Sequence, residues 1–231
     1  MKVIGIVGSP RQGANTERLV KRVLAGAEKA GAETKLFHLA RMNIKGCVSC
    51  FHCRGREGCA LQDDMQTLYA EIQSANGIVI GSPVYMWQMS GQTKLFVDRL
   101  YALMNNDFSS RLKGRKNLAL AFTQGNPDPG AFASYYEHTM KVMGFLGYTP
   151  KGVIVAAGTR EKDAVEKQAA VMAQAEEMGK ALATQEGGDS GGPDLSGLSG
   201  PSGGAALGVS GAAAWPASAS ARGPRTCPRR G

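Results

Sequence analysis

The chain has 231 residues, 43% of them hydrophobic, with a formal charge of +8 and a pI near 9.4. This is enough apolar material for one core of ordinary domain size, and it excludes a chain disordered throughout. The basic residues are scattered, without a long Lys/Arg run or a base-stacking aromatic pattern, so a small anionic ligand is expected and nucleic acid is not.

Lys2–Val7 reads as a short buried strand that breaks at Gly8-Ser9-Pro10. Its apolar run of about five residues is too short for a signal-peptide core, and nothing later approaches the roughly 20 apolar residues of a membrane span. A cytoplasmic protein without membrane contact is the expectation. Thr16 to Ala30 has helical spacing, with Leu19, Val20, Val23 and Leu24 on one face. A second strand covers 33–39, a helix runs from Met65 to Ser74, and a third strand spans 77–85. Ser90 is placed to cap a helix reaching Met104, with Leu95, Phe96, Leu100 and Leu103 inward. A strand over 116–122, a helix from Gly130 to Phe145, a strand over 152–157 and a closing helix from Glu161 to Thr184 complete the pattern.

Such alternation predicts an α/β fold, a five-stranded doubly wound parallel sheet with helices on both faces, because parallel strands need crossover connections. This domain is expected over 1–185. From 186 to 231 the composition is almost all Gly, Ser, Ala and Pro, which cannot offset its chain entropy by burial; a disordered tail carrying a free Cys227 is expected there.

Ligands of such sheets bind beyond the carboxyl ends of the strands. The first of those loops, "GSPRQGANT" (8–16), offers hydroxyls at Ser9 and Thr16, a cation at Arg11, a turn at Gly13 and an amide at Asn15. With the next helix's N-terminal amides it forms a phosphate cradle. It has neither the G-x-G-x-x-G of a dinucleotide site nor the Gly-Lys-Thr of a P-loop. The third strand's loop supplies an apolar and aromatic wall of Pro83, Val84, Tyr85, Met86 and Trp87, closed by Ser90 and Gly91. The fourth adds Thr123, Gly125 and Asn126. Together they describe a site for a mononucleotide with a planar head.

The connection after the second strand carries Cys47, Cys50, Cys53 and Cys59, spaced C-x2-C-x2-C-x5-C. Four thiolates so close can ligate a [4Fe–4S] cluster or tetrahedral zinc, or remain ordinary thiols. Asp63 and Asp64 are read as caps of the following helix rather than as an acid pair or metal ligands. Lys94, Asp98 and Arg99 are read as a charged helix face. The three histidines, His38, His52 and His138, fall in no triad-like motif, and no catalytic side chain is assigned.

These three motifs, in this order from Met1 to about Ala183, resemble the flavodoxin-like NAD(P)H-dependent FMN reductase family, in particular its iron–sulfur flavoprotein branch. The resemblance implies an FMN-dependent oxidoreductase, dimeric or tetrameric, in which Ser9, Arg11, Asn15 and Thr16 hold the phosphate. Pro83, Val84, Tyr85 and Met86 would flank the isoalloxazine ring, with Thr123 and Gly125 at the ring or ribityl chain. It also implies a [4Fe–4S] cluster on the four cysteines, electrons from NAD(P)H or ferredoxin, and a small acceptor such as a quinone, a flavin or an oxidant. A subunit contact for Lys94, Asp98 and Arg99 follows from the same resemblance. An electron carrier without a substrate of its own is the alternative.

Overall fold

The computed structural model describes residues 1–184; the predicted tail and Cys227 lie outside the described residues. Five parallel strands, β1 (Lys2–Val7), β2 (Glu33–His38), β3 (Gly77–Tyr85), β5 (Lys116–Thr123) and β6 (Tyr148–Ala156), form a sheet in the order β2-β1-β3-β5-β6. The two-residue strand β4 (Gln88–Met89) folds back antiparallel on the end of β3. This is the flavodoxin-like order, with its switch point between β1 and β3.

Side chains alternate across each strand, and that alternation divides the core in two. Ile4, Ile6, Ile78, Ile80, Leu118 and Phe122 pack with helices α3 (Met65–Ser74), α4 (Gly91–Arg99) and α5 (Ala133–Phe145). Val3, Val7, Val79, Ala119, Ala121 and Ile154 face α1 (Asn15–Lys29) and α6 (Ala169–Ala183). On that second face the two helices touch backbone to backbone: a Cβ on Gly179 would lie 1.8 Å from the Val23 carbonyl oxygen. A short turn, α2 (His52–Gly55), lies within the cysteine segment.

Several boundaries differ from expectation. The last strand begins at Tyr148, four residues earlier than its apolar run, because Tyr148, Thr149 and Pro150 pair with Lys116, Asn117 and Leu118 of β5, and Lys151 is the extra residue at a bulge opposite Leu118/Ala119. The closing helix is interrupted: Ala164–Lys167 forms a 3-10 turn and α6 starts at Ala169. The helix after Ser90 ends at Arg99 and tightens into a 3-10 turn over Leu100–Leu103. Leu95, expected inward, is 39% exposed, whereas Phe96 and Leu100 are fully buried. Arg99 is not part of a charged surface, being only 1% exposed. Among the described residues, no helix is long and apolar enough to cross a membrane.

Candidate functional site

A cleft of about 70 Å³ opens at the carboxyl ends of β1, β3 and β5 and brings the three predicted loops together. Ser9, Arg11, Asn15, Thr16, Pro83, Val84, Tyr85, Thr123 and Gly125 line it. Gly13 and Met86 are not in its lining. Gly13 sits at the outer turn of the first loop with φ +61°, its N–H donating to Glu17 Oε2 at 2.6 Å.

The cleft's floor is tied by buried hydroxyls. Thr16 Oγ1 and Thr123 Oγ1 share a hydrogen bond of 2.7 Å, joining the start of α1 to the end of β5. Ser90 Oγ donates to the Gly8 carbonyl at 2.6 Å, and Thr93 Oγ1 donates to Ser82 Oγ at 3.0 Å. Ser90 also caps α4, as expected, accepting the Thr93 N–H. Gly8 approaches this network so closely that a Cβ there would lie 1.8 Å from Thr93 Oγ1. The first amides of α1 have no intrahelical acceptor and front the cleft, where the helix dipole favours an anion.

Asn15 has a different use from the one its position suggests. Its side-chain amide donates to the carbonyls of Thr159 (3.1 Å) and Glu161 (2.5 Å), and its Oδ1 accepts the Val165 N–H. The side chain latches the loop after β6 onto α1, with its amide and its oxygen both engaged. That latch brings in Thr159, which lines the cleft with Gln124; sequence reasoning assigned neither. Gln124 is held by Tyr136, whose hydroxyl donates to Gln124 Oε1 at 2.5 Å, while Gln124 Nε2 donates to the Asp128 carbonyl. Burial pushes the Tyr136 phenol well above its ordinary pKa, so it stays a donor. Applying the carboxyl-end rule to "AAGTR" after the last strand would have found Thr159.

The β3–β4 hairpin forms the outer lip. Its two turn residues, Met86 (φ +46°) and Trp87 (φ +64°), adopt a left-handed backbone that such turns usually assign to Asn-Gly. They project outward, 82% and 67% exposed, and the Met89 N–H is pinned by the Tyr135 hydroxyl at 3.0 Å.

The four cysteines line a second cavity, of about 400 Å³, together with Phe51, Asp98 and Tyr101. Its lining has no residue in common with the cleft. Ser90, at the N-cap of α4, lies on the cleft side, and Asp98, eight residues on, lies in the cavity; that is a separation of about 12 Å along the helix axis. Ser49 (φ +50°) and Phe51 (φ +56°) hold left-handed backbone between the cysteines. Burial raises the Cys53 thiol above its ordinary pKa, with the other cysteines adding to the effect. Among the described residues, no three His, Cys, Asp or Glu side chains are arranged as a metal-holding group. All four cysteines belong to the lining of this one cavity, and they are free thiols.

A buried ion pair anchors this segment. Arg99 Nη1 and Nη2 donate to both Asp63 carboxylate oxygens, at 2.7 and 3.1 Å, and Nη1 also reaches the Lys45 carbonyl at 2.8 Å. Burial alone would raise the Asp63 carboxyl; Arg99 and the amides of Lys45 and Met65 outweigh it and hold the group below its ordinary range. Asp63 does accept the Met65 N–H at the start of α3, as a cap would, but its main partner is Arg99. Asp64 accepts the Asn43 N–H instead of capping. His38, at the end of β2, lies 3.8 Å from Glu17 of α1 and lines neither cavity. Lys94 and Asp98 form the expected i,i+4 ion pair.

The family model described as NADPH-dependent FMN reductase matches residues 1–163. An iron–sulfur flavoprotein of Methanosarcina thermophila is 35% identical over 121 residues, 52% of this chain and 62% of that protein. One from Methanocaldococcus jannaschii is 39% identical over 123 residues, 52% of this chain and 61% of its own length. The match thus spans about three fifths of the length of these curated relatives. Among solved structures, the NAD(P)H:quinone oxidoreductase from Methanothermobacter marburgensis superposes with a TM-score of 0.63 at 16% identity, over 80% of this chain and 98% of that one; this likeness shows the fold.

Proposed function

Because the chain belongs to the NADPH-dependent FMN reductase family, we propose that it is an FMN-dependent oxidoreductase. It would take electrons from NAD(P)H or ferredoxin and deliver them to a small acceptor such as a quinone, a free flavin or another oxidant. The observation that carries this reading is the cleft: three separate loops converge on one small polar pocket at the sheet's switch point. Its volume suits a phosphate rather than a three-ring heterocycle, so the phosphate end belongs inside and the ring at the lip.

In this reading Ser9 and Thr16 hydroxyls, the Arg11 guanidinium and the first α1 amides bind the phosphate, with Gly13 providing the turn. Asn15 contributes its backbone N–H and keeps the β6 loop in place. Pro83, Val84, Tyr85 and Met86 flank the ring, and Thr123 and Gly125 border the ribityl chain. FMN, when bound, supplies the hydride and electron chemistry; the protein positions it and sets its surroundings. The four cysteines Cys47, Cys50, Cys53 and Cys59 hold a [4Fe–4S] cluster, supported by their shared cavity and by the similarity to proteins named iron–sulfur flavoproteins.

The exposed Met86 and Trp87 beside the cleft support a homodimer or homotetramer that covers them. A cytoplasmic location accords with thiols kept reduced. Steady-state oxidation of NAD(P)H by the flavin-loaded protein with a quinone or free flavin tests the reductase. Turnover supports it; reduction by ferredoxin without any turnover would support the carrier instead.

A further inference from the structure

The loop after β6 reaches the cleft at Thr159, and the backbone of the next residue, Arg160, is held from two sides. The carbonyls flanking it, those of Thr159 and Glu161, both accept from the Asn15 side-chain amide, at 3.1 and 2.5 Å. The Arg160 carbonyl itself accepts from Arg11 Nη1 at 3.5 Å. On the other side, the N–H groups of Gly158 and Thr159 donate to the carbonyls of Asn126 and Gln124, at 2.9 Å each. Arg160 therefore sits where the first loop, the loop after β5 and the loop after β6 meet.

Its side chain is held as well. Arg160 Nε donates to the Gly125 carbonyl at 3.2 Å, and its stem lies over Gly125, where a Cβ would come 3.5 Å from Arg160 Cγ. Gly125 and Arg11, its contacts on the two neighbouring loops, both line the cleft. The terminal amino groups of Arg160, one carbon beyond Nε, have no partner among the described residues. Neither Arg11 nor Arg160 is paired with a carboxylate there. Farther along α1 the cations do find carboxylates: Arg18 pairs with Glu166, and Arg22 with Glu176.

Two cations at one loop junction repel each other, and holding a long side chain still costs rotamer entropy. A bound dianion removes the repulsion and accepts paired hydrogen bonds from a guanidinium fork, the geometry in which Arg recognises phosphate. The N-terminus of α1, whose Asn15 and Thr16 line the same cleft, favours negative charge there too.

We propose that Arg160 is a specificity-determining residue of the cleft: with Arg11 it clamps the phosphate monoester of the flavin and sets the preference for FMN over the unphosphorylated flavin. The inference rests on the FMN reading above and deepens it, adding a second cation from the loop after the last strand.

The test is a titration of the full chain, freed of flavin, with FMN and separately with riboflavin, followed by flavin fluorescence at low and high salt. Arg160→Gln weakens FMN binding at least about tenfold and changes riboflavin binding less than about twofold, because riboflavin has no phosphate to lose. The FMN loss narrows as salt screens the cation. Arg160→Lys keeps a charge and falls between wild type and Arg160→Gln. The effects of Arg160→Gln and Arg11→Gln on FMN are not additive, since both residues act on one phosphate. Arg160 is exposed, so these substitutions spare the core, and thermal melts check that each variant is folded. Equal losses for FMN and riboflavin would overturn the inference, since Arg160 would then only tie the loops together. Unchanged FMN affinity would overturn it too, including the case in which Arg160→Gln raises KM for NADPH but not for NADH. Wild-type protein that binds FMN no more tightly than riboflavin would overturn both this inference and the phosphate cradle. Wild-type protein that binds neither would overturn the FMN reading itself.

Discussion

The cleft and the cysteine cavity share no lining residue, and they are built in different ways. The cleft is a product of the sheet: its walls are strand ends, and its floor is tied by Thr16–Thr123 and by the Ser82–Ser90–Thr93 hydroxyls, all buried. The cysteine cavity is a product of a connection. Its backbone includes left-handed Ser49 and Phe51, and its base is held by one ion pair, Asp63–Arg99. A site made from strand ends is preorganised wherever the fold forms. A site made from a connection depends on a few anchors and on what fills it.

If that contrast is right, the largest single effect on stability belongs to the anchor. Asp63→Ala leaves Arg99 as an uncompensated buried charge and should destabilise the protein by about 3–5 kcal/mol, read from urea unfolding. Proteolysis should then begin within residues 43–64, because the Lys45 amide and carbonyl are both held by this pair. A loss below about 1 kcal/mol would break the comparison.

On the cleft side, Gly8→Ala drives a Cβ into Thr93 Oγ1 and should cost about 1–3 kcal/mol. FMN affinity, followed by flavin fluorescence, should fall at least about tenfold, equivalent to about 1.4 kcal/mol. The iron content of the same variant should stay unchanged, which sharpens the separation of the two regions. Smaller still, Tyr136→Phe frees Gln124 and should cost about 1 kcal/mol, with a few-fold weaker FMN binding in the same titration.

The smallest expected effect is in the pH dependence. Burial lowers the His38 pKa from its ordinary 6.5, with Arg41 and Lys21 adding to it and Glu17 opposing. Its folded-state pKa lies below the unfolded one, so its contribution is complete above about pH 6.5 and is lost as pH falls through the folded value. Asp63 is also depressed, and its contribution disappears only at more acidic pH, below the ordinary carboxylate range. Thermal melts between pH 4 and 8 should show a shallow decline beginning near 6.5, absent in His38→Gln.

The contrast also explains how much was legible in the sequence. Strands such as Gly77–Tyr85 carry their own signal, a short apolar run ending in Gly, Ser and Pro, and were placed to the residue. The loops that build the cleft follow from the strands, so most of its lining was nameable, except Gln124 and Thr159. Asn15 was named, but the latch it forms joins it to Thr159, 144 positions away, and no local pattern announces such a partner. Asp63 and Arg99 are 36 residues apart, and each looked like ordinary helix-end charge; only tertiary packing makes them a buried pair. The rim position expected for the cysteines was read from chain order alone; the cavity they line is bordered by Asp98 and Tyr101 and shares no residue with the cleft. Leu95 failed because the helical stripe after Ser90 is narrower than its apolar residues suggest.

The central claim is that this chain carries FMN in the cleft and a cluster on its cysteines. An ultraviolet–visible spectrum of anaerobically purified protein, with flavin, iron and sulfide counted per chain, tests it directly. The account predicts flavin bands, a broad shoulder at about 400 nm and about four irons per chain. Flavin without iron would remove the cluster and leave the cleft. A colourless protein that fails to take up added FMN would contradict the account as a whole.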